Sequence, residues 1–248
     1  MTKKKIPYGI SNFEAIKDDN CYYVDKTKYL ELLEELNEKY LFFLRPRKFG
    51  KSLFISLLEY YYGIEYKDKF DTLFGEYYIG KNPTPKANSY YILRFDFSSI
   101  MTSSNEETFR GFRKKVIDGV KYFNNSYKLF SRDELTEILE EKSSNEILTS
   151  FFNAFTTNDD AKIYILIDEY DHFTNELISF RRDEFRDVVS RNGYVRKFYE
   201  AIKEGTGKGI VDRFFATDVT PVTLDSLTSG FNIGSDLTLD FRLNEMLG

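Results

Sequence analysis

The sequence predicts an α/β three-layer sandwich, with a mostly parallel central sheet flanked by helices. Three observations predict it. The runs Tyr40–Leu44, Tyr90–Phe97, Ile163–Ile167 and Ile210–Ala216 are apolar with little alternation, as strands buried on both faces require. Helix-period segments separate these runs, and alternation of strand and helix winds a parallel sheet. The first run also breaks abruptly at Arg45-Pro46 and resumes, after Gly50-Lys51-Ser52, as a helix-forming segment.

Thr27 to Glu38 reads as a helix with Tyr29, Leu30, Leu32, Leu33 and Leu36 on its apolar side. The first strand follows at Tyr40–Leu44, then a helix from about Lys51 to Tyr62, stopped near Gly63. Lys67–Tyr78 is helical or mixed, and Gly80–Asn88, with Pro83 and Pro85, is a loop. After the Tyr90–Phe97 strand come helical stretches over Asn105–Tyr122, Arg132–Glu141 and Asn145–Phe155. The Ile163 strand is followed by a charged helix in the Glu184–Lys203 region. Gly205-Thr206-Gly207-Lys208-Gly209 then reads as a flexible turn into the last strand.

Strand, tight loop and helix N-terminus form a layout that binds phosphate, because the first helical N–H groups have no intrahelical acceptor. Gly50 allows backbone to approach an anion closely, Lys51 adds a point charge, and Ser52 offers a hydroxyl to Mg²⁺. The candidate nucleotide-binding set is Arg45, Pro46, Arg47, Lys48, Phe49, Gly50, Lys51, Ser52 and Leu53. The usual pattern, G-x-x-x-x-G-K-[ST], has glycine where this chain has Arg45. The same stretch also suits a solvated basic turn.

A phosphate-loop NTPase needs a second apolar strand ending in acid, and Ile163–Ile167 followed by Asp168-Glu169 supplies it. Asp168, at a strand's carboxyl end, is a candidate Mg²⁺ ligand beside Ser52, directly or through water. Glu169 is positioned to polarise an attacking water. The plainer alternative is a core strand with a solvated acidic loop over residues 168–171. At the end of the last strand, Thr217 is the first candidate for sensing a terminal phosphate and Asp218 the second; both residues also serve as ordinary strand-end caps. The catalytic candidates are thus Glu169, Lys51 and Thr217, with Ser52 and Asp168 at the metal. Gly205-Thr206-Gly207-Lys208 precedes a strand instead of following one, so it reads as a connection. His172, the only histidine, reads as incidental.

The chain has 248 residues, net charge −5 and 30% charged residues, so no basic field favours nucleic acid. One cysteine, Cys21, excludes an internal disulfide framework and suits a reducing, cytoplasmic setting. No membrane-spanning or signal segment is visible. The 24 phenylalanines read as core and the 19 tyrosines as boundary residues.

Ile6-Pro7-Tyr8-Gly9-Ile10, Tyr23-Val24-Asp25-Lys26-Thr27 and Arg45-Pro46-Arg47-Lys48-Phe49-Gly50-Lys51-Ser52 together resemble the AAA-ATPase-like family of bacterial proteins. So do residues 165–171, 217–221 and 227–232. The resemblance implies a P-loop NTPase domain over 1–248, with ATP and Mg²⁺ as its cofactors. It also implies that segment 1–39 packs on the nucleotide site, where Tyr8, Ile10, Phe13 or Tyr23 would line the base. Capping of a helix by Asp25 or Thr27 is the alternative there. An arginine at the first-glycine position is common in the family. Asp218 stands where members usually have glycine, and the added carboxylate repels a phosphate unless offset. Many members carry a C-terminal PD-(D/E)XK nuclease-like domain; that domain and most of a helical lid are not expected within these residues.

Two functions are consistent with this reading. One is Mg²⁺-dependent ATP hydrolysis coupled to conformational change, in a mobile-element or defence context. The other is a hydrolysis-poor nucleotide switch or an interaction module. Expected partners are the nucleotide and a second copy or partner protein; nucleic acid is unsupported by the charge, and no membrane is involved.

Overall fold

The computed structural model describes residues 3–155, 160, 162–170, 172–174, 177, 188, 193–219 and 231–247. Its centre is a five-stranded, wholly parallel sheet of β1 (Tyr40–Leu44), β2 (Tyr90–Asp96), β3 (Lys162–Asp168), β4 (Val211–Asp218) and β5 (Ser235–Asp236). The order across the sheet is β2-β3-β4-β1-β5, so β4 lies between the two strands that carry the motifs.

Alternation along these strands builds the layers. Phe42 and Leu44 join Ile163, Ile165 and Ile167 in one core, under α6 (Asn105–Tyr127), α8 (Ser144–Ala154) and α9 (Tyr194–Gly207). Leu41 and Phe43 join Tyr164, Leu166 and Phe215 in the other core. That side is covered by α1 (Phe13–Asp18), α2 (Lys28–Glu35) and α3 (Lys51–Tyr62). Burial on both faces is why the strands read as unbroken apolar runs. Smaller helices α4 (Phe70–Phe74), α5 (Tyr78–Lys81) and α7 (Arg132–Glu140) lie at the periphery.

Register levels the strand ends. Leu44 pairs with Asp218, Thr217 with Asp168, and Asp168 with Asp96. Three strands therefore deliver carboxylates to the edge from which β1 enters its loop. Arg94 of β2 donates to Glu59 of α3 at 2.6 Å, tying the edge strand to that helix two turns beyond Ser52.

Several sequence expectations need adjustment. Residues 205–207 are the last turn of α9, not a flexible turn; a Cβ on Gly205 would lie 3.1 Å from Phe152 and Val211. β4 runs two residues further than expected and includes Thr217 and Asp218. α1 and β5 were not anticipated, and α5 occupies the start of the expected 80–88 loop. The first part of the helix expected over 184–203 is outside the described residues, except Val188. Asp171, Thr220, Pro221 and residues 227–230 also fall outside them.

Asp25 and Thr27 form a bracket. Asp25 Oδ1 accepts from the Thr27 N–H and hydroxyl, and its Oδ2 accepts from the N–H of Tyr78. The Thr27 hydroxyl oxygen accepts from the N–H of Ile79. Among the described residues no helix is long and apolar enough to cross a membrane.

Candidate functional site

The loop from Arg45 to Gly50 reverses the chain through two left-handed residues, Lys48 at φ 70° and Gly50 at φ 79°. Such curled backbone turns successive N–H groups toward a common point. The first helical hydrogen bond of α3 is from Phe54 N–H to the Gly50 carbonyl. The N–H groups of Lys51, Ser52 and Leu53 therefore have no intrahelical acceptor.

Lys51 is 8% exposed, and its ammonium donates to the carbonyls of Arg45 and Pro46, each 3.0 Å away. Burial lowers its pKa, while Asp218, Asp168 and Glu169 act in the opposite direction. Asp168 is 4% exposed, and its Oδ1 has no hydrogen-bond partner among the described residues. Burial raises its pKa to about 6, against the lowering effect of a hydrogen bond with the Ser52 side chain; Asp96 raises it further. Glu169 adopts φ 52°, a turn that brings its side chain into the cleft. His172 Nδ1 lies 3.9 Å from Glu169 Oε2.

A cleft of about 830 Å³ is lined by Arg47, Lys48, Gly50, Lys51, Ser52, Leu53, Glu169 and His172, with Asp168 buried behind Ser52. Residues 7–11 and Ser98-Ser99 form the remaining wall. A second, more apolar cleft of about 430 Å³ adjoins it, walled by Ile6, Tyr23, Val24, Phe49, Met246 and Leu247 among others. The two share Pro7, Lys48, Gly50 and Leu53.

Lys51, Ser52, Asp168 and Glu169 thus converge as their positions in the sequence suggested. Other candidates are placed differently. The Arg45 guanidinium donates to the carbonyls of Leu44 and Thr238 at 2.9 and 2.8 Å. It also lies over the Phe43 ring, 4.2 Å from its centroid, and does not line the cleft. Pro46 contributes its carbonyl to Lys51, and Phe49 lies in the apolar cleft. The Thr217 hydroxyl is buried and donates to the Phe43 carbonyl at 2.7 Å. Asp218 is also buried, its Oδ1 accepting from the N–H of Val219. Phe13 is core, stacked on Phe74. The contribution of Met246-Leu247 escaped sequence reasoning, since no local signal ties a distant terminus to this loop. Ser98-Ser99, directly after β2, carried no signal that pointed to the cleft.

A profile of the AAA-ATPase-like family, described as Predicted AAA-ATPase, matches residues 7–228. The chain belongs to the AAA-ATPase-like family. That membership supports a nucleotide-binding ATPase at a coarse level, on the α/β architecture described above. The AAA-ATPase-like chain is also 48% identical over 60 residues to "Uncharacterized protein in vnfD 5'region" of Azotobacter chroococcum mcd 1. That match covers 23% of this chain and 11% of the relative. No solved structure matches it.

Proposed function

We propose that this domain binds ATP with Mg²⁺ and hydrolyses it, converting nucleotide state into a change of conformation. The observation that carries the reading is that Lys51, Ser52 and Glu169 line one cleft at a helix N-terminus, with the Asp168 carboxylate hydrogen-bonded to Ser52 behind them.

The donor set suits the metal. Asp168 has a buried carboxylate oxygen without a partner among the described residues, beside a serine hydroxyl, and hard oxygen ligands favour Mg²⁺. Among the described residues no three His, Cys, Asp or Glu side chains cluster to hold a metal by themselves. That fits an ion kept by one or two protein oxygens together with substrate phosphates. Ser52 and Asp168 would hold it. When bound, Mg²⁺ supplies charge neutralisation for the phosphates.

The chain's own groups then act as follows. The free N–H groups of Lys51, Ser52 and Leu53 bind phosphate oxygens, and Lys51 moves its ammonium from the loop carbonyls onto them. Glu169 orients a water and accepts its proton as the water oxygen attacks the terminal phosphorus, while the bond from that phosphorus to the bridging oxygen breaks and ADP leaves with the electron pair. The apolar cleft receives the base, with Tyr23, Val24 and Phe49 excluding water from it. These roles need positioning and charge more than covalent chemistry.

Asp218 favours a second reading. Its buried carboxylate sits near Lys51 alongside Asp168 and Glu169, which opposes a third phosphate and suits a slow or non-hydrolysing switch. Phosphate release by the wild type and by Glu169→Gln separates the two. Hydrolysis predicts a fall of roughly 10²- to 10⁴-fold in the variant, with ATP still raising its melting temperature. Equal turnover in both proteins would remove Glu169 from the chemistry.

A further inference from the structure

One wall of the cleft is a short segment hydrogen-bonded, among the described residues, only at its ends. At one end the Lys5 N–H donates to Asn20 and the Lys5 carbonyl accepts from Tyr22, at 3.1 and 2.7 Å. At the other, Asn12 Nδ2 donates to the Tyr60 hydroxyl at 3.0 Å, and the Phe13 N–H donates to Ser56 Oγ at 2.9 Å. Ser56 and Tyr60 lie one and two turns beyond Ser52 on α3. Between the anchors, residues 6–11 make no hydrogen bond among the described residues.

This span is also unusually open. Tyr8 is 97% exposed and Ile6 89%. Gly9 sits at φ +70°, yet a Cβ there would meet nothing within 4 Å. Its glycine is therefore required by backbone conformation and not by crowding. Single exposed apolar side chains are ordinary. Here Ile6, Tyr8, Tyr22, Val24 and Phe49 are all exposed and all line the two adjoining clefts. Apolar surface gathered around one opening marks a place that something covers.

We propose that residues 6–11 are a strap that closes over bound nucleotide, carrying the Tyr8 ring out of solvent and onto the ligand. Gly9 is the hinge that permits the movement, and the anchors on α3 make closure report directly on the helix that starts at Lys51. Closure expels water from around Glu169 and strengthens each charge interaction inside the cleft. The proposal rests on the nucleotide-binding reading above and adds the element that responds to occupancy.

The chain contains no tryptophan, so Tyr8→Trp makes a sole indole emitter at a fully exposed position. Titration with ATP and Mg²⁺ is expected to shift its emission to the blue. The effect should saturate over the same concentrations as the ATP-induced thermal shift and vanish in the Tyr8→Trp, Lys51→Ala double variant. Tyr8→Ala, which lacks the ring contact, is expected to bind ATP about threefold to tenfold more weakly. A normal thermal shift with unchanged emission would overturn the strap while leaving the nucleotide site standing. An emission change that survives Lys51→Ala would also overturn it, because the movement would then be independent of the phosphate loop. Absence of both signals would bring down the strap and the nucleotide reading together.

Discussion

The ammonium of Lys51 is bonded to the carbonyl oxygen of Arg45, 3.0 Å away, and equally to that of Pro46. The position usually filled by glycine therefore contributes a carbonyl to the loop, which any residue supplies. An arginine is accommodated because its side chain leaves toward Thr238.

Lys51→Ala removes the only lysine on the cleft's helical wall that also carries the loop closed. ATP with Mg²⁺ at about a hundred times its dissociation constant should stabilise the wild type by roughly 2.7 kcal/mol. The variant should show almost none of that gain by differential scanning fluorimetry. An undiminished shift would place the nucleotide elsewhere.

Asp168 predicts a dependence of stability on pH. Its folded pKa of about 6 exceeds the ordinary 3.8, so the folded state holds the proton more tightly. The associated stability is complete below about pH 4 and is lost as pH rises through 6. A gap of that size corresponds to about 3 kcal/mol. Asp168→Asn should therefore raise the melting temperature of the nucleotide-free protein at pH 8 and flatten its profile between pH 4 and 6. The same variant should lose Mg²⁺-dependent stabilisation by ATP. A destabilised, still Mg²⁺-responsive variant would contradict the assignment.

Arg45→Ala tests whether the guanidinium serves the loop or the segment after β5. Two hydrogen bonds to carbonyls and stacking on Phe43 predict a loss of about 1–3 kcal/mol in urea unfolding. ATP affinity should change by less than about threefold, because the side chain lies outside the cleft. A large drop in affinity with unchanged stability would assign the arginine to phosphate instead.

Thr217→Val keeps the shape of the side chain and deletes the hydroxyl that donates to Phe43. A cost of about 1 kcal/mol is expected, with phosphate release nearly unaltered. Should turnover collapse while stability holds, the hydroxyl must rotate toward substrate during the cycle, as a terminal-phosphate sensor requires.

The wound sheet was legible because β1 to β4 are each buried on two faces, and burial writes itself as continuous apolar sequence. Lys51, Ser52, Asp168 and Glu169 were legible for a related reason: each lies at or next to a boundary between strand or loop and helix, where geometry is local. Arg45 and Thr217 carried the right residue types, but sequence does not tell where a flexible guanidinium or a hydroxyl is directed. Thr27 does stand at the N-cap of α2, with Asp25 bonded to it, but both side chains also accept from Tyr78 and Ile79, some fifty positions away, which no local pattern announces. β5 was invisible because Ser235-Asp236 pairs with Leu41-Phe42 through backbone alone, and two polar residues have no strand signature.

That two-residue strand has a consequence for solubility. β1 would otherwise end the sheet, presenting the unpaired N–H and C=O groups of Leu41-Phe42-Phe43 to any passing chain. Ser235-Asp236, followed by the Thr238 contacts to Leu44 and Arg45, seals that border with a short, charged, sharply turned segment. A chain shortened before residue 235 should keep its motifs and still self-associate edge to edge, precipitating at concentrations the intact domain tolerates.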